Sequence, residues 1–373
     1  MKIPEKPTHQ EVDKALNEVI LKPFCEFPLV SASDWSVLVC AIFTAVQRPV
    51  LPTAPGFVLS ATTAGTGKTT AALAIGALCG GSVPNIWPHL PGEGSEETRK
   101  RLVTALLTGV DVIVWDNVFG VFGNPSLDAF LTSATFTDRL LGQSAQVSLP
   151  NRALFLVTGN NFIAKGDTNR RLIVCHMDPG VEFAYKRRFD LDPVSYCLHH
   201  RQSIVSAVLL ILRAFRQSNA APKSGRLASF EDWDDMIRQP VAWLADRYDW
   251  LTDPMDAIDA SQAVDPEKEA HAALMRALHS LFDARVFTSR DVLSAYREYD
   301  KRREYEPEDC MEPHLMQARR ELSECLEDLA PGKLTARSIG RIMSFREGRI
   351  VDGYRLKPLP STREKRWSVE VIQ

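Results

Sequence analysis

Cysteine is sparse and scattered: the chain has seven in 373 residues, and no two form a C-x-x-C pair. That pattern excludes a zinc ribbon or a disulfide framework and suits the reducing cytosol, so a cytoplasmic protein is expected. Long apolar runs are also missing. The stretch from Val37 to Val46 is too short to span a bilayer, so no membrane association is expected. The N-terminus lacks the basic, apolar and small-residue succession of a signal peptide. The net charge of −3 excludes a polycation, and any nucleic-acid surface must be local. His176, His199 and His200 belong to no ligand set with metal spacing and are expected to be structural. No nucleophile-plus-base arrangement of the hydrolase kind is visible.

What is present is an ordinary globular composition, 45% apolar and 24% charged, in a chain long enough for two or three domains. Residues 1–50 read as a helical lead-in, with an amphipathic helix from His9 to Leu21 and a buried one from Asp34 to Val46. Residues 51–190 alternate apolar strands with helices, an α/β layout. The strands are expected at Phe57–Ser60, Val112–Trp115, Leu154–Thr158 and Leu172–His176, each a near-continuous apolar run, as central parallel strands covered on both faces are. Residues 191–255 read as a helical lid. Within it Ile204 to Phe215 is apolar nearly all round, which predicts a buried helix, and Gln217 to Ser229 predicts a surface loop.

Residues 256–373 read as a separate C-terminal domain. Thr288 and Asp291 open a helix with a capping-box pattern leading to Tyr299. Further helices are predicted at His314–Asp328 and Thr335–Phe345, then strands at Arg349–Leu356 and Arg366–Ile372 separated by Pro358, Pro360 and Ser361. Three helices and a β-hairpin make a winged-helix module. From Lys333 to Arg366 ten Lys/Arg face three Asp/Glu, whereas Asp253 to Glu269 is acidic by comparison. The basic segment fits a nucleic-acid-facing module or, equally, a solvated face without a partner.

The most informative residues are Thr62-Thr63-Ala64-Gly65-Thr66-Gly67-Lys68-Thr69, between the apolar run Gly56–Ser60 and an alanine-rich stretch that begins at Thr70. Strand, glycine loop and helix in that order form a P-loop. Backbone N–H groups of such a loop wrap phosphate oxygens, and the helix N-terminus adds positive potential. Lys68 would reach the β- and γ-phosphates, and the Thr69 hydroxyl would hold Mg²⁺. Thr62 stands where the full pattern has glycine.

Val112-Ile113-Val114-Trp115-Asp116 is an apolar strand ending in a carboxylate, a Walker B pattern in which Asp116 holds Mg²⁺ through its water shell. The strand Leu154–Thr158 ends in Gly159-Asn160-Asn161; an amide there can aim at a γ-phosphate or its attacking water, or the pair can simply turn the chain. Asp167-Thr168-Asn169-Arg170-Arg171 precedes another strand. Its arginines suit a transferred phosphate across a subunit interface, or an ion pair with Asp167.

Together these motifs resemble the AAA+-type ATPase of phage and integrative-element primase-helicases, a group related to superfamily-III helicases. The likeness extends to Thr53-Ala54-Pro55, Glu96-Glu97-Thr98-Arg99-Lys100-Arg101, Arg139-Leu140-Leu141-Gly142-Gln143-Ser144, Arg188-Phe189, His200-Arg201, Trp243-Leu244 and Gly353-Tyr354-Arg355-Leu356. It covers roughly residues 25–373. The resemblance implies an ATP site at Thr63, Ala64, Gly65, Thr66, Gly67, Lys68, Thr69 and Thr70, with Mg²⁺ held by Thr69 and Asp116. It implies sensor 1 at Asn160 or Asn161 and arginine fingers at Arg170 and Arg171. It places Arg139 at a subunit interface or DNA, and makes Arg201 either a lid-borne phosphate sensor or a structural group. The implied assembly is a homo-oligomeric ring, a hexamer, acting on DNA.

Two departures qualify the likeness. Asn117 stands where most AAA+ proteins carry a glutamate base, so Glu96 or Glu97 is the candidate replacement. Only 61 residues precede the P-loop, so primer synthesis is not expected. The expected activity is an ATP-hydrolysing DNA helicase or translocase of phage or mobile-element replication. The alternatives are a nucleotide-gated DNA-binding loader or switch without unwinding, and an assembly that binds ATP and scarcely hydrolyses it.

Overall fold

The computed structural model describes residues 3–90, 92, 94–139, 146–181, 183–187, 189–263, 266–305, 313–329, 334–361 and 364–372. Leu140–Ser144, Arg188, Lys333 and Arg363 of the sequence patterns lie outside the described residues. The chain forms two compact units that divide between residues 265 and 266. A boundary between 255 and 256 is expected from the sequence. The helix Met255–Ala263 packs Ala257 and Ile258 into the first unit's core, which moves the division beyond it.

The first unit is mixed α/β around a parallel sheet. Its strands are β1 (Gly56–Ala61), β2 (Ile86–Pro88), β3 (Val112–Phe122), β6 (Leu154–Ala164) and β7 (Leu172–Met177), in the order β2-β3-β6-β1-β7. Every neighbouring pair is parallel. A separate antiparallel hairpin joins β4 (Thr135–Arg139) to β5 (Gln146–Pro150). The four strands expected from apolar runs are present: β1, β7 apart from exposed His176, and the first halves of β3 and β6 are largely buried. β3 and β6 run further than expected, to Phe122 and Ala164. There the pattern changes from continuously apolar to alternating, leaving Phe119 and Val121 exposed.

Helices cover the sheet. Ala32–Gln47 starts at a capping box between Ser31 and Asp34 and is almost wholly buried. Lys68–Gly80 runs from Gly67 at φ +94° to Gly81 at φ +74°. Arg201–Ser218 differs from expectation: only the stripe Ile204, Ala207, Val208, Leu210, Ile211 and Ala214 is buried, and Leu209 is exposed. The helix therefore lies on the surface, with one face against the core.

The second unit has helices Pro266–Phe282, Ser289–Tyr305, Pro313–Leu329 and Ala336–Arg346. Its antiparallel sheet has the order β8-β11-β10-β9, from β8 (Phe287–Thr288), β9 (Ile350–Val351), β10 (Tyr354–Leu359) and β11 (Arg366–Val371). Leu278, Phe287, Leu322, Met343, Leu356 and Trp367 lie in one shared core. The first of those helices was not anticipated. The single strand expected at Arg349–Leu356 is two, because Asp352 and Gly353, at φ +50° and +74°, turn the chain between β9 and β10. A two-residue Asp-Gly turn with both φ positive is the tight hairpin connection that matches strand twist. Among the described residues no helix is long and apolar enough to cross a membrane.

Candidate functional site

The end of β1 lies level with the middle of β6 and β3, and β6 is inserted between the other two. Its Asn160 lies in register with Ala61 on one side and Phe119 on the other. In open α/β sheets a ligand crevice forms beyond the carboxyl ends of strands, and the glycine loop leaves β1 at that edge. Gly65 and Gly67 take φ of +78° and +94°, values that side chains rarely adopt. Space is a second reason for glycine. A Cβ on Gly65 would lie 2.8–2.9 Å from the Tyr185 backbone and Cβ, and one on Gly67 would lie 3.0 Å from Phe27.

Lys68 is buried at the start of the helix. Its Nζ donates to the Thr63 carbonyl at 3.1 Å and to Thr66 Oγ1 at 3.0 Å. Burial pushes the ammonium below its usual range, and the nearby Asp116 carboxylate opposes that. The loop therefore holds its lysine folded inward on its own oxygens. Thr69 and Thr70 follow it, half-buried, in the first turn of the helix. Thr62, Ala64 and Gly65 are exposed.

Asp116 takes two hydrogen bonds on one oxygen: Thr69 Oγ1 donates to its Oδ1 at 2.8 Å, and Thr158 Oγ1 donates to the same atom at 2.6 Å. Thr158 also accepts from the Asn117 amide at 3.2 Å. Thr158 opens the Thr158-Gly159-Asn160-Asn161 run, and the sequence assigns it no role of its own. Asn117 itself is exposed and left-handed, at φ +63°. Asparagine tolerates that region several-fold better than most residues, which gives its presence a backbone reason.

The two amides of the β6 pair separate. Asn161 is exposed at φ +48°. Asn160 is half-buried, and its Oδ1 is buried without a hydrogen-bond partner, as is Thr63 Oγ1 in the loop. The inward lysine, the unpartnered Thr63 hydroxyl and the positive-φ glycines fit a polyphosphate, and the unpartnered Asn160 oxygen is an acceptor that suits a bound water. The Thr69 hydroxyl and Asp116 carboxylate are hard oxygen donors suited to Mg²⁺, which is commonly bound by one or two carboxylates plus substrate phosphates. Among the described residues no cluster of three or more His, Cys, Asp or Glu could hold a metal alone. The residues present therefore fit a magnesium nucleotide.

Four other candidates lie apart from this cluster. Glu96 and Glu97, in the first turn of the helix Ser95–Leu107, are exposed and pair with Lys100 at 3.4 and 3.6 Å. In the same segment Arg99 pairs with Asp138 on β4, and Arg101 stacks 4.1 Å above the Trp115 ring. Arg170 and Arg171 sit before β7 at the opposite edge of the sheet, where the Arg171 carbonyl accepts from the Gly56 amide at 2.9 Å. Both guanidiniums bind the Asp167 carboxylate. Burial raises the Asp167 carboxyl, but the hydrogen bond from Arg170 and the charges of both arginines outweigh it and hold the group below its usual range. Arg171 is buried and also donates to the Asp128 carbonyl and to Thr132 Oγ1; Arg170 stays partly exposed.

Arg201 donates to the Leu78 and Cys79 carbonyls, both at 2.9 Å, and so caps the far end of the Lys68–Gly80 helix. At a rise of 1.5 Å per residue that end lies about 15 Å from the loop. Of the two roles weighed for Arg201, the structure therefore selects the structural one. Arg139 is exposed at the end of β4.

No family model matches the chain, and no curated protein matches it. Solved structures with some likeness include the apo C-terminal region of NrS-1, at 10% identity and TM-score 0.41, covering 99% of this chain and 76% of that one. JCV helicase with a small molecule bound is similar at 15% identity and TM-score 0.27, over 64% of this chain and 69% of that one. SCCmec type IV Cch, an active helicase, is similar at 10% identity and TM-score 0.31, over 98% of this chain and 70% of that one. Likenesses this distant establish neither a shared fold nor an activity.

Proposed function

We propose that this chain is an ATP-hydrolysing motor of AAA+ type that acts on DNA as a ring, a helicase or translocase of phage or mobile-element replication. The observation that carries the reading is the convergence of Lys68 and Thr69, in the first turn of the helix after β1, with Asp116 on β3 and Asn160 on β6, the two strands to one side of β1 in the sheet. On nucleotide binding Lys68 leaves the Thr63 carbonyl and Thr66 hydroxyl for phosphate oxygens, and the loop amides from Ala64 to Thr69 cradle them. Thr69 and Asp116 hold Mg²⁺, which when bound neutralises phosphate charge. Asn160 offers its free oxygen to the attacking water. Such sites work through position and charge rather than covalent chemistry. A ring is what a finger role for Arg170 would require: the residue precedes β7 at the amino-terminal end of the sheet, away from its own loop, so in this reading it serves a neighbour's ATP.

The helices Pro193–His199, Arg201–Ser218 and Gln239–Ala245 supply the lid of this reading. The second unit supplies a winged helix for DNA, with Arg337 and Arg341 exposed on one helix and Lys357, Lys365 and Arg366 exposed on the hairpin. Phosphate contacts of this kind weaken steeply with salt. Arg139, on the hairpin between the Asp116 and Asn160 strands, is a further DNA or interface contact.

One observation favours the second reading, a nucleotide-gated loader or switch. Asn117 has no proton-accepting carboxylate, and Glu96 and Glu97 are occupied with Lys100 at the surface. DNA-stimulated ATP hydrolysis by the wild type and Lys68→Ala tests the motor. Turnover lost in the variant supports it, and a wild type without turnover, with or without DNA, overturns it. Strand displacement separates the two readings, because a loader binds DNA with ATP but unwinds nothing.

A further inference from the structure

The Asp116 carboxylate sits at a break in the sheet. Trp115 pairs with Val157 and Val118 pairs with Gly159, so Asp116 and Asn117 on β3 face the single residue Thr158 on β6. Two residues opposite one is a β-bulge, which bends its strand and re-aims a side chain. It also takes the Asn117 amide out of the ladder. The Thr158 hydroxyl closes both gaps: it accepts from that amide at 3.2 Å and gives its one proton to Asp116 Oδ1 at 2.6 Å. Thr158 is 2% exposed, so water does not compete for these bonds.

With Thr69 also donating to Oδ1, both hydrogen bonds fall on one carboxylate oxygen and Oδ2 is left for the ligand. Asn160, two residues further along β6, lies on the same strand face as Thr158. One strand thus carries both the group that aims the carboxylate and the orphaned amide oxygen.

We propose that Thr158 is the positioning residue of the metal-holding carboxylate, fixing the side-chain torsion of Asp116 through its hydroxyl. The proposal rests on the magnesium-nucleotide reading of the site. Hydrogen-bonding partners of metal ligands tune affinity through the ligand they orient, and losing one costs roughly 10- to 100-fold in metal affinity. Thr158→Val keeps the shape and removes the hydroxyl; Thr158→Ser keeps the hydroxyl.

The test is the affinity for a fluorescent ATP analogue, titrated with Mg²⁺ and repeated in EDTA, alongside thermal unfolding of the ligand-free protein. Thr158→Val is expected to need roughly 10- to 100-fold more Mg²⁺ to reach half-saturation. Its metal-free nucleotide affinity should match wild type, and Thr158→Ser should restore the Mg²⁺ requirement. An unchanged requirement in Thr158→Val, or a Thr158→Ser as impaired as Thr158→Val, overturns the proposal. So does failure of both Thr158→Val and Thr158→Ala to fold, which would assign the residue to structure. A wild type that binds no magnesium nucleotide would instead sink the underlying reading.

Discussion

The adjacent arginines Arg170 and Arg171 have the same chemistry and different surroundings, so they should fail differently. Arg171 donates to the Asp128 carbonyl, the Thr132 hydroxyl and the Asp167 carboxylate, and ties the helix Pro125–Thr132 to the turn before β7. A hydrogen bond involving a charged group contributes about 1.5–3 kcal/mol, and a deserted buried acceptor adds its own desolvation cost. Arg171→Ala is therefore expected to cost about 3 kcal/mol and to lower the urea midpoint by about 1 M. Arg170 has 38% of its side chain exposed, and its partner Asp167 keeps Arg171. Arg170→Ala should cost less than about 1 kcal/mol. As the finger for a neighbour's ATP, it should lose turnover while keeping nucleotide affinity.

The decisive assay mixes two inactive proteins. In the proposed ring, Lys68→Ala would lose its own loop but bring an intact finger, and Arg170→Ala would keep the loop and lack the finger. In a head-to-tail ring assembled from equal amounts, about a quarter of interfaces combine the good loop of one with the good finger of the other. Hydrolysis should reappear in the mixture. No recovery from variants that still assemble would refute the shared site. Lost turnover in Arg171→Ala at full stability would refute its structural assignment.

Asn117→Gly should be neutral to within about 1 kcal/mol, since glycine accepts φ +63° freely. Asn117→Glu should cost roughly 1–2 kcal/mol in urea unfolding and leave single-turnover hydrolysis no faster; a faster rate at unchanged stability would mean that the backbone there does not exclude a base. In the second unit, burial, then Arg346 and Arg349, push buried His271 down from 6.5 to about 4, and its Nε2 has no partner. Above pH 6.5 both folded and unfolded chains hold it neutral; as the pH falls toward 4, the unfolded chain takes up a proton that the fold refuses. Stability should therefore fall across that window, by at most about 3 kcal/mol, and level off below it. Urea unfolding at pH 7 and pH 4.5 should show the loss, and His271→Leu should reduce it; an equal loss in His271→Leu would clear the residue.

The parts of the site legible in the sequence are those whose cause is local. Gly65 and Gly67 mark positive φ, Lys68 and Thr69 follow them at once, and β1, β3, β6 and β7 announce themselves by burial on both faces. Thr158 is invisible by the same logic: its partner Asp116 is 42 residues away, and only the sheet order brings them together. The extensions of β3 and β6 were missed because Val118–Phe122 alternates and contains glycine, which reads as a loop. Arg201 could not be decided because a guanidinium suits a carbonyl pair as well as a phosphate. The Asp352-Gly353 turn was readable from its dipeptide, but the following prolines drew the hairpin connection too late. Pro358 lies inside β10, opposite Trp367.

A single bulge connects the features that set this site apart. An extra residue in β3 puts Asn117 on a left-handed backbone, frees an amide that Thr158 must satisfy, and turns one oxygen of Asp116 toward two hydroxyls. A glutamate directly after Asp116 would carry the strain of that backbone, so the missing base and the threonine clamp have the same origin. In the proposed motor, water activation would then fall to orientation, by an amide that cannot accept a proton, together with charge from a neighbouring protomer. Hydrolysis on such terms should be slow in isolated subunits and rise with assembly. That coupling serves a loader as well as a helicase, and only strand displacement tells them apart.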